Sequence, residues 1–146
     1  MNILVTGGAG FIGRWVVKRL LDDEHKVWIL DDLSNGREEN IKEFLGHEKL
    51  VKFIKGDIKD RTLLEKLFEN EFDICYHLAA SINVQDSIDD PRTTFENDTI
   101  GTFNVLEQCK KHNTKIIFMS TCMVYDRAND ESGITELHPT KPASPY

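Results

Sequence analysis

The sequence predicts an α/β fold built on a doubly wound parallel sheet. Three observations lead there. Short, continuously apolar runs alternate with amphipathic segments along the 146 residues, the pattern of strands covered on both faces by helices. A glycine-rich turn, Thr6-Gly7-Gly8-Ala9-Gly10-Phe11-Ile12-Gly13, joins the first apolar run to the first amphipathic one. The segments of distinctive composition, 6–13, 31–36, 56–58, 78–84 and 120–125, each follow or end an apolar run. Such sheets bind ligands beyond the carboxyl ends of their strands.

Each element has a local signal. Residues 2–6 form a short apolar run closed by glycines. Residues 11–23 carry Ile12, Trp15, Val16 and Leu20 at helical spacing, and 26–31 (KVWILD) is the second strand. Ser34-Asn35-Gly36 is a turn, a short helix reaches about Leu45, and 50–55 is the third strand. Asp60 caps a helix bearing Leu63, Leu64, Leu67 and Phe68. Residues 72–78 give a fourth strand. Asp90 caps a long helix with Pro91 at its first position. Residues 115–120 (KIIFMS) give a fifth strand, and 121–146 reads as a mostly coil segment within the single domain 1–146. Right-handed crossovers order the strands 3-2-1-4-5, with the switch point between strands 1 and 4.

Composition narrows the function. Hydrophobic residues make up 40% and charged residues 29% of the chain, as in ordinary globular domains. The net charge of −7 disfavours nucleic acid as a partner. No apolar run approaches the ~18 residues of a membrane span. No basic flank or cleavage site opens the chain, so a cytoplasmic protein is expected. Cys75, Cys109 and Cys122 are odd in number and widely spaced, which argues against a disulfide frame or a metal site. Cys75 and Cys109 read as packed core residues. His77, at a strand end, reads as a packed or solvent-facing imidazole more readily than as a cofactor contact.

The glycine turn carries the chemistry. Gly7, Gly10 and Gly13 follow GxxGxxG, and Gly8, Gly10 and Gly13 also satisfy GxGxxG. Between a strand and a helix, such glycines permit a tight turn, close approach of a pyrophosphate and close helix packing. The N-terminus of the helix, at Phe11 and Ile12, offers unpaired N–H groups to phosphate charge. Asp31 ends the second strand 18 residues after Gly13. A carboxylate there accepts the ribose hydroxyls of adenosine and repels a 2′-phosphate, which predicts NAD over NADP. Arg14 and Arg37 are the residues that could reverse that preference. Asp32 and Asn35 are candidate helpers in the loop. This is a Rossmann-type cofactor site.

Together these motifs resemble the extended short-chain dehydrogenase/reductases, and within them the NAD-dependent nucleotide-sugar epimerases and dehydratases. The matching pieces are TGGAGFIG at 6–13, LDDLSNG at 30–36, GDIKD at 56–60, YHLAA at 76–80, NDTIGT at 97–102, STCMVY at 120–125 and PASPY at 142–146. The resemblance implies that Asp57 and Ile58 bracket the adenine and that Leu78, Ala79 and Ala80 line the inner half of the cofactor. It implies that the Thr121 hydroxyl bonds the reacting sugar oxygen and that Tyr146 is the general base of a YxxxK motif. The lysine of that motif would be residue 150, so these 146 residues read as the front of a longer enzyme, inactive by themselves.

Departures from the family pattern refine the expectation. Cys122 and Met123 stand where dehydratases carry an Asp-Glu pair, which disfavours dehydration. The family asparagine falls at Asp98, with Asn97 beside it. Ile82 replaces a lysine common in UDP-galactose 4-epimerases. The reading is the cofactor-binding portion of a nucleotide-sugar epimerase, with NAD as cofactor and a nucleotide sugar as substrate. The alternatives are a dehydratase, keto-sugar reductase or decarboxylase of the same family, or a non-catalytic NAD-binding or interaction module. Phe95, Thr99, Thr102, Leu106 and Cys109 form a helical stripe, with Ile100 and Phe103 beside it. Surplus apolar area there predicts a homodimer through the helix at 91–112.

Overall fold

The computed structural model describes residues 1–128 and 133–146. Five parallel strands form one sheet in the order β3-β2-β1-β4-β5, as the alternation of apolar runs predicts. The strands are β1 (Asn2–Thr6), β2 (Lys26–Asp31), β3 (Leu50–Lys55), β4 (Ile74–His77) and β5 (Lys115–Phe118). β4 and β5 are shorter than expected: β4 starts two residues later and ends one earlier, and β5 ends two residues earlier.

Two cores cover the two faces of the sheet. On one, Ile3, Val5 and Ile29 pack with Val17, Leu20 and Leu21 of α1 (Phe11–Asp22). On the other, Leu4, Leu30 and Cys75 meet Leu64, Leu67 and Phe68 of α2 (Arg61–Phe68), together with Val105 and Cys109. Alternate residues of β1 thus serve opposite faces, as the two-residue period of a strand requires. Asp60 caps α2 by accepting the Leu63 N–H at 3.0 Å, as expected.

Four local expectations change. The buried face of α1 is Gly13, Val17, Leu20 and Leu21. Ile12 and Trp15 are exposed, and the Arg14 guanidinium lies 5.2 Å from the centre of the Trp15 ring. The short helix before Leu45 is two 3-10 turns, Glu38–Asn40 and Lys42–Phe44. A helix that sequence periodicity did not reveal, α3 (Val84–Asp89), starts at Asn83, whose side chain accepts from the N–H groups of Gln85 and Asp86. The long helix from Pro91 is composite: α4 (Pro91–Thr94), a π segment (Phe95–Gly101) and α5 (Thr102–Lys111).

The π segment explains a further correction. Its wider turns shift the phase of the helix, so the predicted stripe does not stay on one face. Gly101, Asn104, Val105, Gln108 and Cys109 are buried, whereas Phe95, Ile100, Phe103 and Leu106 are exposed. Among the described residues, no helix is long and apolar enough to cross a membrane. None of their His, Cys, Asp or Glu side chains form a group of three able to hold a metal ion.

Candidate functional site

The glycine turn leaves β1 at the switch point and is held on three sides. Gly7 adopts φ +71°, a conformation that L side chains rarely take. Its N–H donates to Leu30 O at 2.8 Å. A Cβ on Gly7 would lie 2.7 Å from Ala79 N and from the Leu78 carbonyl carbon, so the turn rests directly on the backbone that follows β4. A Cβ on Gly13 would run into Gly7 O and lie 2.7 Å from the Gly8 Cα. Helix α1 therefore crosses its own leading turn in backbone contact.

The helix end above that turn is open. Gly10 occupies the N-cap without a side-chain bond, and the first turn holds no acidic residue. The leading N–H groups of α1 thus lack a side-chain partner, and the helix dipole is not offset locally. Phe11 and Ile12 are exposed beside this end.

Asp31 closes the second side. Its carboxylate, 6% exposed, accepts the Ala9 N–H and the Leu33 N–H, each at 2.9 Å. Burial pushes its pKa up, and these two backbone donors partly offset the rise. A carboxylate offers about four acceptor positions, so two remain for hydroxyl groups. Asp32 instead serves its own loop, accepting from Ser34 N at 2.8 Å and Ser34 Oγ at 2.6 Å. Asn35 is exposed and lines a depression of about 210 Å³ with Ser81, Ile82, Asn83 and Asp86.

The two arginines that could take a 2′-phosphate differ. Arg14 donates from Nε and Nη2 to Glu43 Oε1 at 3.0 and 2.6 Å, so its charge is already paired. Arg37 is exposed, and its backbone N–H donates to Ala9 O at 3.1 Å. Asn40 also donates to Ala9 O, at 2.7 Å. Sequence reasoning missed this tie between the 3-10 turns and the glycine turn, because nothing in local spacing joins residues 9 and 40.

The third side is the rim after β3 and β4. Asp57 is half-buried and pairs with Lys59 through N–H at 2.8 Å and Nζ at 3.0 Å. Ile58, expected to give the adenine an apolar contact, lies mostly inside the fold. Its side chain is only 4% exposed, and a Cβ on Gly101 would come within 2.6 Å of it. The small Gly101 brings the composite helix down onto Ile58, so that side chain is largely committed to the core. Leu78, Ala79 and Ala80 are half-buried. Leu78 N donates to Thr6 O at 3.1 Å and Ala79 N to Thr6 Oγ1 at 3.3 Å. Ser81 N donates to Asp98 Oδ1 at 2.6 Å, while Asn97 donates to Ser81 Oγ and accepts from Lys59. The π segment thus holds the start of the 81–83 loop through Asp98.

Thr121 and Tyr146 lie beyond β5 in another setting. Thr121 is half-buried and caps a 3-10 turn (Cys122–Val124), accepting the Met123 N–H at 3.2 Å. Tyr146 is half-buried. No hydrogen bond joins the two among the described residues. An isolated antiparallel bridge, Tyr125 to Thr140, gathers this segment.

Sequence comparison places these features in a family. Residues 4–146 match the family model described as GDP-mannose 4,6 dehydratase. A putative UDP-glucose 4-epimerase of Methanocaldococcus jannaschii is 38% identical over 146 residues, 99% of this chain and 46% of that protein. The crystal structure of Pal from Bacillus thuringiensis superposes with a TM-score of 0.97 at 69% identity, covering 100% of this chain and 47% of that one. A UDP-glucose 4-epimerase of Thermus thermophilus, solved in complex with NAD, gives a TM-score of 0.90 at 35% identity, with coverages of 100% and 46%. The chain therefore spans less than half the length of these relatives. It belongs to the NAD-dependent nucleotide-sugar epimerase/dehydratase family of extended short-chain dehydrogenase/reductases, whose N-terminal part it represents.

Proposed function

We propose that this chain is the NAD-binding portion of a nucleotide-sugar epimerase. The observation that carries the reading is the open, uncapped end of α1 above the Gly7 turn, with the buried Asp31 carboxylate at the end of the adjacent strand. A pyrophosphate fits the first feature, because the leading N–H groups of α1 have no side-chain acceptor and no acidic residue stands in its first turn. An adenosine ribose fits the second, through the two acceptor positions that Asp31 keeps free. The Arg14–Glu43 pair leaves Arg14 poorly placed to favour a 2′-phosphate, which supports NAD over NADP.

The other roles follow from the residue types. Asp57 reaches the adenine amino group, Gly8 and Gly10 keep the turn low, and Asp32 and Asn35 shape the ribose loop. Leu78, Ala79 and Ala80 bound the inner half of the cofactor. NAD supplies a hydride acceptor and donor when bound. Thr121 bonds the reacting sugar oxygen, and the Tyr146 phenolate takes its proton. Cys122 and Met123 supply neither an acid nor a base to eliminate water, which favours epimerisation over dehydration. The exposed Phe95, Ile100, Phe103 and Leu106 support self-association through the composite helix.

The test pairs two proteins. One is the 146-residue chain; the other joins it to the C-terminal part of the 69% identical relative. Each is given NAD and a panel of UDP- and GDP-sugars, and products are read by NMR. We expect an inverted carbinol centre from the joined protein, none from the 146 residues alone, and none from the joined Tyr146→Phe variant. Undiminished turnover by that variant would remove Tyr146 from the chemistry. A dehydrated product would replace epimerisation with dehydration.

A further inference from the structure

His77 is buried in the middle of the site and makes no contact that the proposed chemistry uses. It is 1% exposed, and both ring nitrogens are bonded to hydroxyls. Nδ1 lies 2.6 Å from Thr6 Oγ1, and Nε2 lies 2.9 Å from Thr102 Oγ1. Its backbone carbonyl accepts the Met119 N–H at 3.0 Å, and its ring stacks on Phe118 at 5.9 Å and 29°. One residue thus meets the carboxyl ends of β1 and β5 and the start of α5.

The proton count gives this arrangement a direction. Thr6 Oγ1 already accepts the Ala79 N–H at 3.3 Å. A hydroxyl has one proton, and the Thr6 proton pairs if it goes to His77 Nδ1. The ring proton then sits on Nε2 and donates to Thr102. A second proton on the ring would set two donors against Thr6 and strand its own proton in a buried place. Burial independently lowers the imidazole pKa to about 4, so the ring is neutral at physiological pH.

The same hydroxyl borders the close approach between the glycine turn and the rim. Thr6 precedes Gly7, and Ala79 N lies where a Gly7 side chain would collide with it. We propose that His77 is a positioning residue: through Nδ1 it orients the Thr6 hydroxyl, which fixes the Ala79 amide and sets the spacing between the glycine turn and the 78–80 rim. Its consequence for cofactor affinity rests on the NAD reading above; the effect on the rim itself does not.

The two ends of the ring can be separated by substitution. Asn at 77 keeps an acceptor at the depth of Nδ1, whereas Gln reaches only the depth of Nε2. Amide exchange of Ala79, measured by NMR on His77→Leu, His77→Asn, His77→Gln and Thr6→Val, tests the claim. NAD affinity is measured by calorimetry on the same proteins. Exchange at Ala79 should rise about tenfold in His77→Leu and Thr6→Val relative to Ile29 in β2, with a comparable loss of NAD affinity. His77→Asn should restore most of both, and His77→Gln should not. Unchanged Ala79 protection in His77→Leu would overturn the proposal, as would rescue by Gln in place of Asn. So would a loss of protection spread evenly over all strands. Should His77→Leu fail to fold, the His77→Asn and His77→Gln pair decides the question, because Ala79 protection no higher in Asn than in Gln would overturn the proposal. If the unsubstituted chain does not bind NAD, the cofactor reading fails and Ala79 exchange alone judges the positioning role.

Discussion

Along the carboxyl rim of the sheet, the turn at 6–13 and the segment at 119–146 are supported very differently. The turn is tied by backbone to Leu30, by Asp31 to Ala9, and by contact to Leu78 and Ala79. The later segment carries Thr121 on one short 3-10 turn, with Met119, Ser120, Cys122 and Met123 exposed. A parallel sheet delivers the ends of neighbouring strands to one place, so a binding turn there is built by the core itself. Residues that follow β5 come after a strand that pairs, among the described residues, with β4 alone. The glycine turn and Asp31 are therefore held in place by the sheet itself, while among the described residues Thr121 rests on its own 3-10 turn.

The sharpest way to break this contrast is at Gly13. Its substitution by Val would drive a side chain into Gly7 O, so Gly13→Val should cost about 3 kcal/mol or more. Denaturant unfolding measures this, and an unchanged midpoint would show that the turn relaxes freely.

The next effect is pH-dependent. The His77 pKa falls from 6.5 unfolded to about 4 folded. The unfolded state then binds the proton more readily, so this contribution is complete above pH 6.5 and is lost as pH falls toward 4. The loss approaches about 3 kcal/mol. Asp31 acts oppositely: its raised pKa means that protonation on acidification favours the fold. The difference in unfolding free energy between the unsubstituted chain and His77→Asn, followed from pH 7 to 4, isolates the histidine part. A flat difference would mean that the ring is not buried neutral.

Asp31→Ala removes the acceptor for Ala9 N and Leu33 N together. It should weaken NAD binding at least about tenfold and lower stability by about 1–2 kcal/mol. Calorimetry and thermal unfolding separate the two effects. The smallest effect belongs to the other region. Met123, 38% exposed, should tolerate Ala within about 0.5 kcal/mol, and a larger loss would show that the 119–146 segment is better anchored than its contacts indicate.

How much of this was legible in sequence follows the range of each interaction. The strands, the glycine turn and the Asp60 and Asp90 caps depend on signals within a few residues, the strand order follows from the general rule for parallel crossovers, and all are present in the fold. The face of α1 departs from the apolar spacing because Trp15 lies exposed on the surface beside Arg14 and not in the core. The π segment has no local signature, and it shifted the whole stripe that follows. Thr6, His77 and Thr102 meet across three elements. Their only sequence hint is a polar residue at the last position of an apolar strand, twice over, at Thr6 and His77, which pair in register.

The turn at 6–13 and Asp31 are the proposed NAD site of this chain. Calorimetric titration of the 146-residue protein with NAD, and separately with NADP, tests it most directly. We expect saturable one-to-one binding of NAD, weaker binding of NADP, and loss of the NAD signal in Gly13→Val and Asp31→Ala variants that remain folded. Tighter binding of NADP, or NAD binding indifferent to Asp31, would contradict it.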